Sequence, residues 1–135
     1  MLPATSRWEI AELVTRADAL ASRRDAAQYA ALFTDDAVID GAEGTHHGSE
    51  LRTDVAAIWQ REGDVSVHLT LNVEVNQVEG SDDAATTDSV LVILGGEGAT
   101  RVWNVALITQ TVVRVGPSWK ISHRTVRSVD SLAEL

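Results

Sequence analysis

Ser66-Val67-His68-Leu69-Thr70-Leu71-Asn72 alternates polar and apolar side chains without a break, the two-residue period of a β-strand. The alternation decides the fold because of where it begins. Before Asp64 the apolar residues recur at helical spacing, and from Asp64 onward they recur in strands. Four long strands are predicted, over about 65–79, 84–94, 100–115 and 118–128. Their links are Gly80-Ser81-Asp82-Asp83, Gly95-Gly96-Glu97-Gly98 and Gly116-Pro117, all short and rich in turn residues. Short links between long strands require antiparallel hairpins.

Upstream, Ser6 and Glu9 have the spacing of a capping box, and Ile10, Leu13, Val14, Ala17, Leu20 and Ala21 form one helical stripe behind it. Asp25 with Gln28 repeats the capping signal for a shorter helix whose buried side is Tyr29, Leu32 and Phe33, ended by Asp35-Asp36. A brief strand from Ala37 to Asp40 and a polar turn from Gly41 to Gly48 follow. A third helix starts at Ser49, whose hydroxyl caps it, and ends at Gly63; Leu51, Val55, Ile58 and Trp59 form its apolar face. Helices first and a meander afterwards is an α+β order, with the helices on one face of the sheet. Strands this long twist and curl, and a curled sheet closed by helices encloses a cavity. The expected architecture is a cone-shaped curled antiparallel sheet packed against three N-terminal helices, as a single domain over residues 1–135.

The bulk numbers exclude several classes of function. Formal charge is −9, which repels phosphate backbones, so nucleic acid is not an expected partner. With no cysteine, neither a disulfide framework nor a thiolate metal site is available, which fits a cytoplasmic setting. No apolar run is long enough to span a bilayer, and the N-terminus lacks the order of a signal peptide. There is no Gly-rich phosphate loop, nucleophile elbow or glycosidase carboxylate pair, so no cofactor and no metal are expected.

Arg16-Ala17-Asp18-Ala19-Leu20-Ala21-Ser22-Arg23-Arg24-Asp25, leading into Ala30-Ala31-Leu32-Phe33-Thr34-Asp35-Asp36-Ala37-Val38, resembles the opening of SnoaL-like proteins. His47-Gly48, Val67-His68-Leu69 and Trp119-Lys120-Ile121 agree with it, in order and distance. These proteins belong to the nuclear-transport-factor-two-like superfamily, which includes polyketide cyclases, ketosteroid isomerase, scytalone dehydratase and a hexachlorocyclohexane dehydrochlorinase. Such a fold hosts many chemistries, so function has to come from the pocket residues.

The resemblance places His68 at the histidine that dehydratase-like and dehydrochlorinase-like members use as a base. An imidazole takes and returns a proton near neutrality and needs a carboxylate to orient it. The partner aspartate's position falls on Ala21; Asp18, one helical turn earlier, is the candidate carboxylate from a shifted position. The ketosteroid-isomerase tyrosine falls on Ala17 and its base on Gly41. Asp40 is one residue off, which in a strand turns a side chain to the opposite face. Thr70 and Asn72 share the His68 face and are candidates to hydrogen-bond a substrate oxygen; Ala17, Ala21, Ile39 and Trp59 are expected in the pocket wall. Trp103 shares a face with Val105, Leu107 and Thr109 that lines either the cavity or a dimer interface. His46 and His47 read as a solvated turn, His123 as an exposed side chain, Trp119 as core and Trp8 as a lid over the mouth.

Two classes of function follow. One is a cofactor-independent enzyme of cyclase, isomerase or dehydratase type acting on an apolar small molecule, with His68 as base and acid and Asp18 or Asp40 orienting it. The other is a pocket protein that binds a hydrophobic ligand, or serves as an accessory subunit, without chemistry; Ala17 and Ala21 at family catalytic positions favour it. A purely structural dimerisation module is a third possibility and predicts a cavity filled with side chains. The resemblance implies a homodimer through the open sheet face, and the apolar runs Val102–Leu107 and Val112–Val115 are compatible with it.

Overall fold

The computed structural model describes residues 1–63 and 65–135. Three helices, α1 (Ala4–Ser22), α2 (Ala26–Ala31) and α3 (Leu51–Arg61), cover one face of a six-stranded sheet. Its strands are β1 (Phe33–Gly41), β2 (Gly44–His47), β3 (Ser66–Gln77), β4 (Ala84–Gly95), β5 (Arg101–Val115) and β6 (Ser118–Ser128), in the spatial order β2-β1-β6-β5-β4-β3. Every pairing is antiparallel except β1 with β6. The α+β cone expected from the sequence is the observed architecture. No described helix is long and apolar enough to cross a membrane.

The predicted stripe on α1 is its buried side: Ile10, Val14 and Ala17 are fully enclosed and Leu20 nearly so. Burying each of the large aliphatic side chains contributes about 1.5–3 kcal/mol. Trp59 of α3 meets Tyr29 of α2 edge-on at 5.2 Å, which fixes the two helices against each other. Irregularities interrupt all four long-strand ladders, after Leu71, Ile93, Thr111 and, in the β1–β6 pair, Phe33. Such bulges bend the strands and raise their twist, so the sheet curls instead of lying flat. Curling brings β2 and β3, its two edge strands, around one interior space.

Several local expectations are corrected. Helix α1 starts at Ala4, two residues before the expected cap, so Ser6 lies inside the helix and its Oγ accepts from Arg114 Nη2 at 3.3 Å. Asp25 does cap α2, accepting from the Gln28 backbone N–H at 3.0 Å. Asp35-Asp36 does not end that helix; the chain is extended from Phe33, because β1 runs beside β6. The polar turn Gly41–Gly48 contains a strand, β2, paired with β1. Helix α3 follows a single 3-10 turn, Gly48–Glu50, and Ser49 makes no capping hydrogen bond. Gly48 is required there: a Cβ would lie 2.3 Å from the Thr34 carbonyl oxygen and 2.8 Å from that of Asp35. This close approach of bare backbone to β1 sets where α3 begins.

Candidate active site

Between the helices and the sheet lies a cavity of about 220 Å³, below the roughly 300–1,000 Å³ of sites for drug-sized ligands. Every strand and every helix contributes to its wall. Most of the wall is apolar: Leu51, Val55, Ile58 and Trp59 from α3, Ile39 from β1, Leu91 and Ile93 from β4. The polar groups are few, and they come from separate elements: Tyr29, His46, Glu62, His68, Asn104 and Arg124 among them.

His68 reaches the cavity because β3 alternates as predicted up to its bulge. Ser66, His68 and Thr70 turn inward while Val67, Leu69 and Leu71 remain on the outer face. The His68 backbone is pinned to α1: its N–H donates to Ser22 Oγ at 2.7 Å, and the Ser22 hydroxyl lies 3.4 Å from the His68 carbonyl oxygen. The imidazole is 6% exposed, and its Nε2 is enclosed without a hydrogen-bond partner among the described residues. Among the described residues the carboxylate paired with Nε2 is that of Glu62 at the end of α3, with Oε2 at 3.8 Å. That oxygen is also enclosed, with no hydrogen bond among the described residues, and it faces Arg24 Nη1 at 3.7 Å. A buried nitrogen and a buried carboxylate oxygen left bare at a cavity wall are groups a ligand would satisfy.

The two aspartates expected to orient His68 are placed otherwise. Asp18 is 2% exposed and belongs to a network behind the wall. Its Oδ2 accepts from Thr70 Oγ1 at 2.5 Å and its Oδ1 faces Arg124 Nη2 at 3.5 Å. Thr70 thus spends its hydroxyl on Asp18, and neither it nor Ala17 lines the cavity. Asp40 points to the outer surface, where it accepts from Thr45 Oγ1 at 2.8 Å and lies 3.1 Å from His123 Nε2. The Thr45 hydroxyl, and after it His123, hold the Asp40 carboxyl below its ordinary range. The reason is pleating: Ile39 faces inward, so Asp40 beside it cannot.

Asn72 is also displaced. It sits at the β3 bulge with φ 54, exposed, and the alternation slips by one residue there, so Val73 and Val75 turn toward the interior instead. Trp103 stands at a bulge in β5, 47% exposed and outside the cavity wall, packed against Gly95, where a Cβ would meet its ring at 2.4 Å, and beside Glu62 and Gly63 at the end of α3. Trp8 is exposed and outside the cavity wall, whereas Trp119 is core, under the Arg114 guanidinium at 4.5 Å. Of the ten residues singled out, His68, Ala21, Ile39 and Trp59 meet at the cavity.

Glu62 and Asn104 escaped the sequence reading, and so did two further polar groups at the wall. Arg124 of β6, 5% exposed, carries its charge into the interior, held by Asp18 and by Gln110 Oε1 at 3.2 Å. Burial disfavours its cation, but Tyr29 and the Asp18 carboxylate beside it outweigh that and raise its proton affinity. Burial likewise pushes the Tyr29 phenol up, so it stays a neutral donor. His46 is the other. It pairs across the β1–β2 hairpin with Ile39 and so shares its inward face. Its Nδ1 lies 2.8 Å from Asp54 Oδ2, and its Nε2 is enclosed with no partner among the described residues. The available signal was Asp54, a carboxylate between Leu51 and Ile58 on the otherwise apolar face of α3.

The SnoaL-like domain family matches residues 3–125. The chain belongs to that family. Solved structures of similar shape include a protein of unknown function with a cystatin-like fold from Nostoc punctiforme, 24% identical with a TM-score of 0.82, covering 99% of this chain and 98% of that one. A putative scytalone dehydratase from Novosphingobium aromaticivorans is 18% identical with a TM-score of 0.79, over 93% of this chain and 85% of the other. A hexachlorocyclohexane dehydrochlorinase from Novosphingobium barchaimii is 22% identical with a TM-score of 0.78, over 92% and 86%. At these identities the likeness establishes the shared fold. No curated protein matches the chain.

Proposed function

We propose that this SnoaL-like domain is a cofactor-independent acid–base enzyme of the cyclase, isomerase or dehydratase type, acting on a compact, largely apolar molecule. The observation that carries the reading is His68 Nε2, a basic nitrogen enclosed at the wall of an open cavity with no hydrogen-bond partner among the described residues. His68 takes a proton from a carbon next to a carbonyl, and the bonding pair moves into a new π bond as negative charge gathers on oxygen. Arg124 and Asn104 face that charge, the former as a cation already held in place by Asp18 and Gln110. Glu62 stabilises the imidazolium at 3.8 Å without accepting a hydrogen bond in the resting state. The dehydrochlorinase and dehydratase among its structural neighbours support proton abstraction as the class of reaction.

The generic probe is 5-nitrobenzisoxazole, in which loss of the ring C–H proton to a base breaks the N–O bond and releases a coloured cyanophenolate. Saturable turnover above that of the same concentration of free imidazole is the expected result. Saturable binding with no turnover would leave a ligand-binding protein of the same fold. Pairing of two copies through the outer sheet face belongs to the same reading, supported by Val67, Leu69 and Leu71, all exposed there. Leu69→Glu is then expected to convert a dimer to a monomer by light scattering; an unchanged mass removes that interface.

A further inference from the structure

We infer that His46, positioned by Asp54, is a second proton-transfer group of the same cavity, working from the wall opposite His68. The inference rests on the acid–base reading above and adds a residue to it. The topology carries the first part of the argument. β2 and β3 are the two edges of the sheet, yet His46 of β2 and His68 of β3 line one cavity, so the curl sets them across from each other. Helix α3 spans the gap. Asp54 and Glu62 are eight residues apart, two steps of i+4 on one face, or about 12 Å along the axis. Each carboxylate meets the histidine of one sheet edge, His46 at 2.8 Å and His68 at 3.8 Å, with apolar Ile58 between them.

The two pairs differ in kind. Asp54 Oδ2 is at hydrogen-bond distance from Nδ1 of His46, which fixes the ring, while Nε2 lies on the cavity side with no partner among the described residues. Among the described residues, His68 has no carboxylate within hydrogen-bond reach of Nε2. The assignment follows: His68 accepts the carbon-bound proton, and the Nε2–H of His46 donates to the oxygen that gains charge or leaves. The pair of electrons from the broken C–H bond forms the new π bond. His68 ends protonated and His46 neutral, and proton exchange with solvent resets both. Such a site suits an enolisable carbonyl compound with an oxygen at its far end, either a carbonyl becoming an enol or a hydroxyl departing as water. Chloride departs without a proton, so a halide gains little from His46.

The test is the pH profile of kcat/KM for 5-nitrobenzisoxazole, whose departing phenolate oxygen takes a hydrogen bond from a donor such as the Nε2–H of His46 as charge builds on it. The other titratable groups facing His46 across the cavity are Glu43, Glu62, His68, Arg124 and Tyr29, and all are kept in the variants of this site. Wild type is expected to give a bell. His46→Gln, whose amide still reaches Asp54, is expected to lose the alkaline limb and about 10²-fold in rate. Asp54→Asn, which keeps the ring but removes its orienting charge, should move that limb as well, an effect that packing alone does not produce. Nitrogen-15 spectra of the wild-type histidines give a reading independent of either variant: a neutral His46 carries its proton on Nδ1. A His46→Gln enzyme with an unchanged bell and a rate within twofold of wild type, or a neutral His46 protonated on Nε2, overturns the inference. Those outcomes leave the His68 reading intact, which fails instead when His68→Gln is as fast as wild type.

Discussion

His68→Gln is expected to lower kcat/KM for 5-nitrobenzisoxazole by about 10²–10⁴-fold, the usual contribution of a positioned general base. Glutamine is close in size to histidine and cannot take a proton near neutrality. The substitution leaves the hinge of the site in place, because the hydrogen bonding that ties His68 to α1 runs between its backbone and Ser22 and does not involve its ring. Thermal stability should therefore change little while the rate collapses, and the acid limb of the pH profile should go with it. A melt and a rate measured on one preparation separate the two effects. A normal melt with a normal rate would remove His68 from the chemistry. A fallen rate with a fallen melt would point to packing, and binding of the intact probe, read by tryptophan fluorescence from Trp59 in the wall, would then show whether the cavity survives.

The parts of this protein that follow a period were legible in the sequence, and the parts that depend on a slipped register were not. The apolar stripe of α1 and the alternation of Ser66–Leu71 predict burial correctly, since a helix face and a strand face are local properties. The bulge at Asn72 is not local: it answers the pairing of β3 with β4, and one slipped residue removed Asn72 from the site. The same limit hid the β1–β2 hairpin. Read as a loop, His46 had no face; once Ile39 and His46 are cross-strand partners, both face inward and Asp40 faces out. Charge partners over long separations were equally out of reach. Asp18 was identified as a candidate carboxylate by its helical spacing from Ala21, but its partner is 106 residues away in β6. A buried aspartate in an apolar stripe does announce that a partner exists, because an isolated ionised carboxylate is too costly to bury.

That cost makes Asp18→Ala the substitution with the largest expected effect on stability. Asp18 and Arg124 are almost wholly enclosed, with side chains 3% and 6% exposed and 3.5 Å between Oδ1 and Nη2. Removing the carboxylate leaves the guanidinium buried with Gln110 as its remaining hydrogen-bond partner and takes the acceptor from Thr70. Breaking such a pair costs about 3–5 kcal/mol, against a total stability of about 5–15 kcal/mol for a domain. Replacing both members by apolar groups removes the unpaired charge as well as the pair, so Asp18→Ala with Arg124→Leu is expected to be more stable than Asp18→Ala alone. Denaturant melts of the two singles and the double give the coupling directly. The double variant should still lose turnover, since the cation facing the cavity is gone. Recovery of stability without recovery of rate would mean that Arg124 is kept in the interior for the chemistry and Asp18 for Arg124. Recovery of both would mean that the pair serves the fold alone and that the charge on oxygen is met elsewhere, with Asn104 and Tyr29 the remaining donors at the wall.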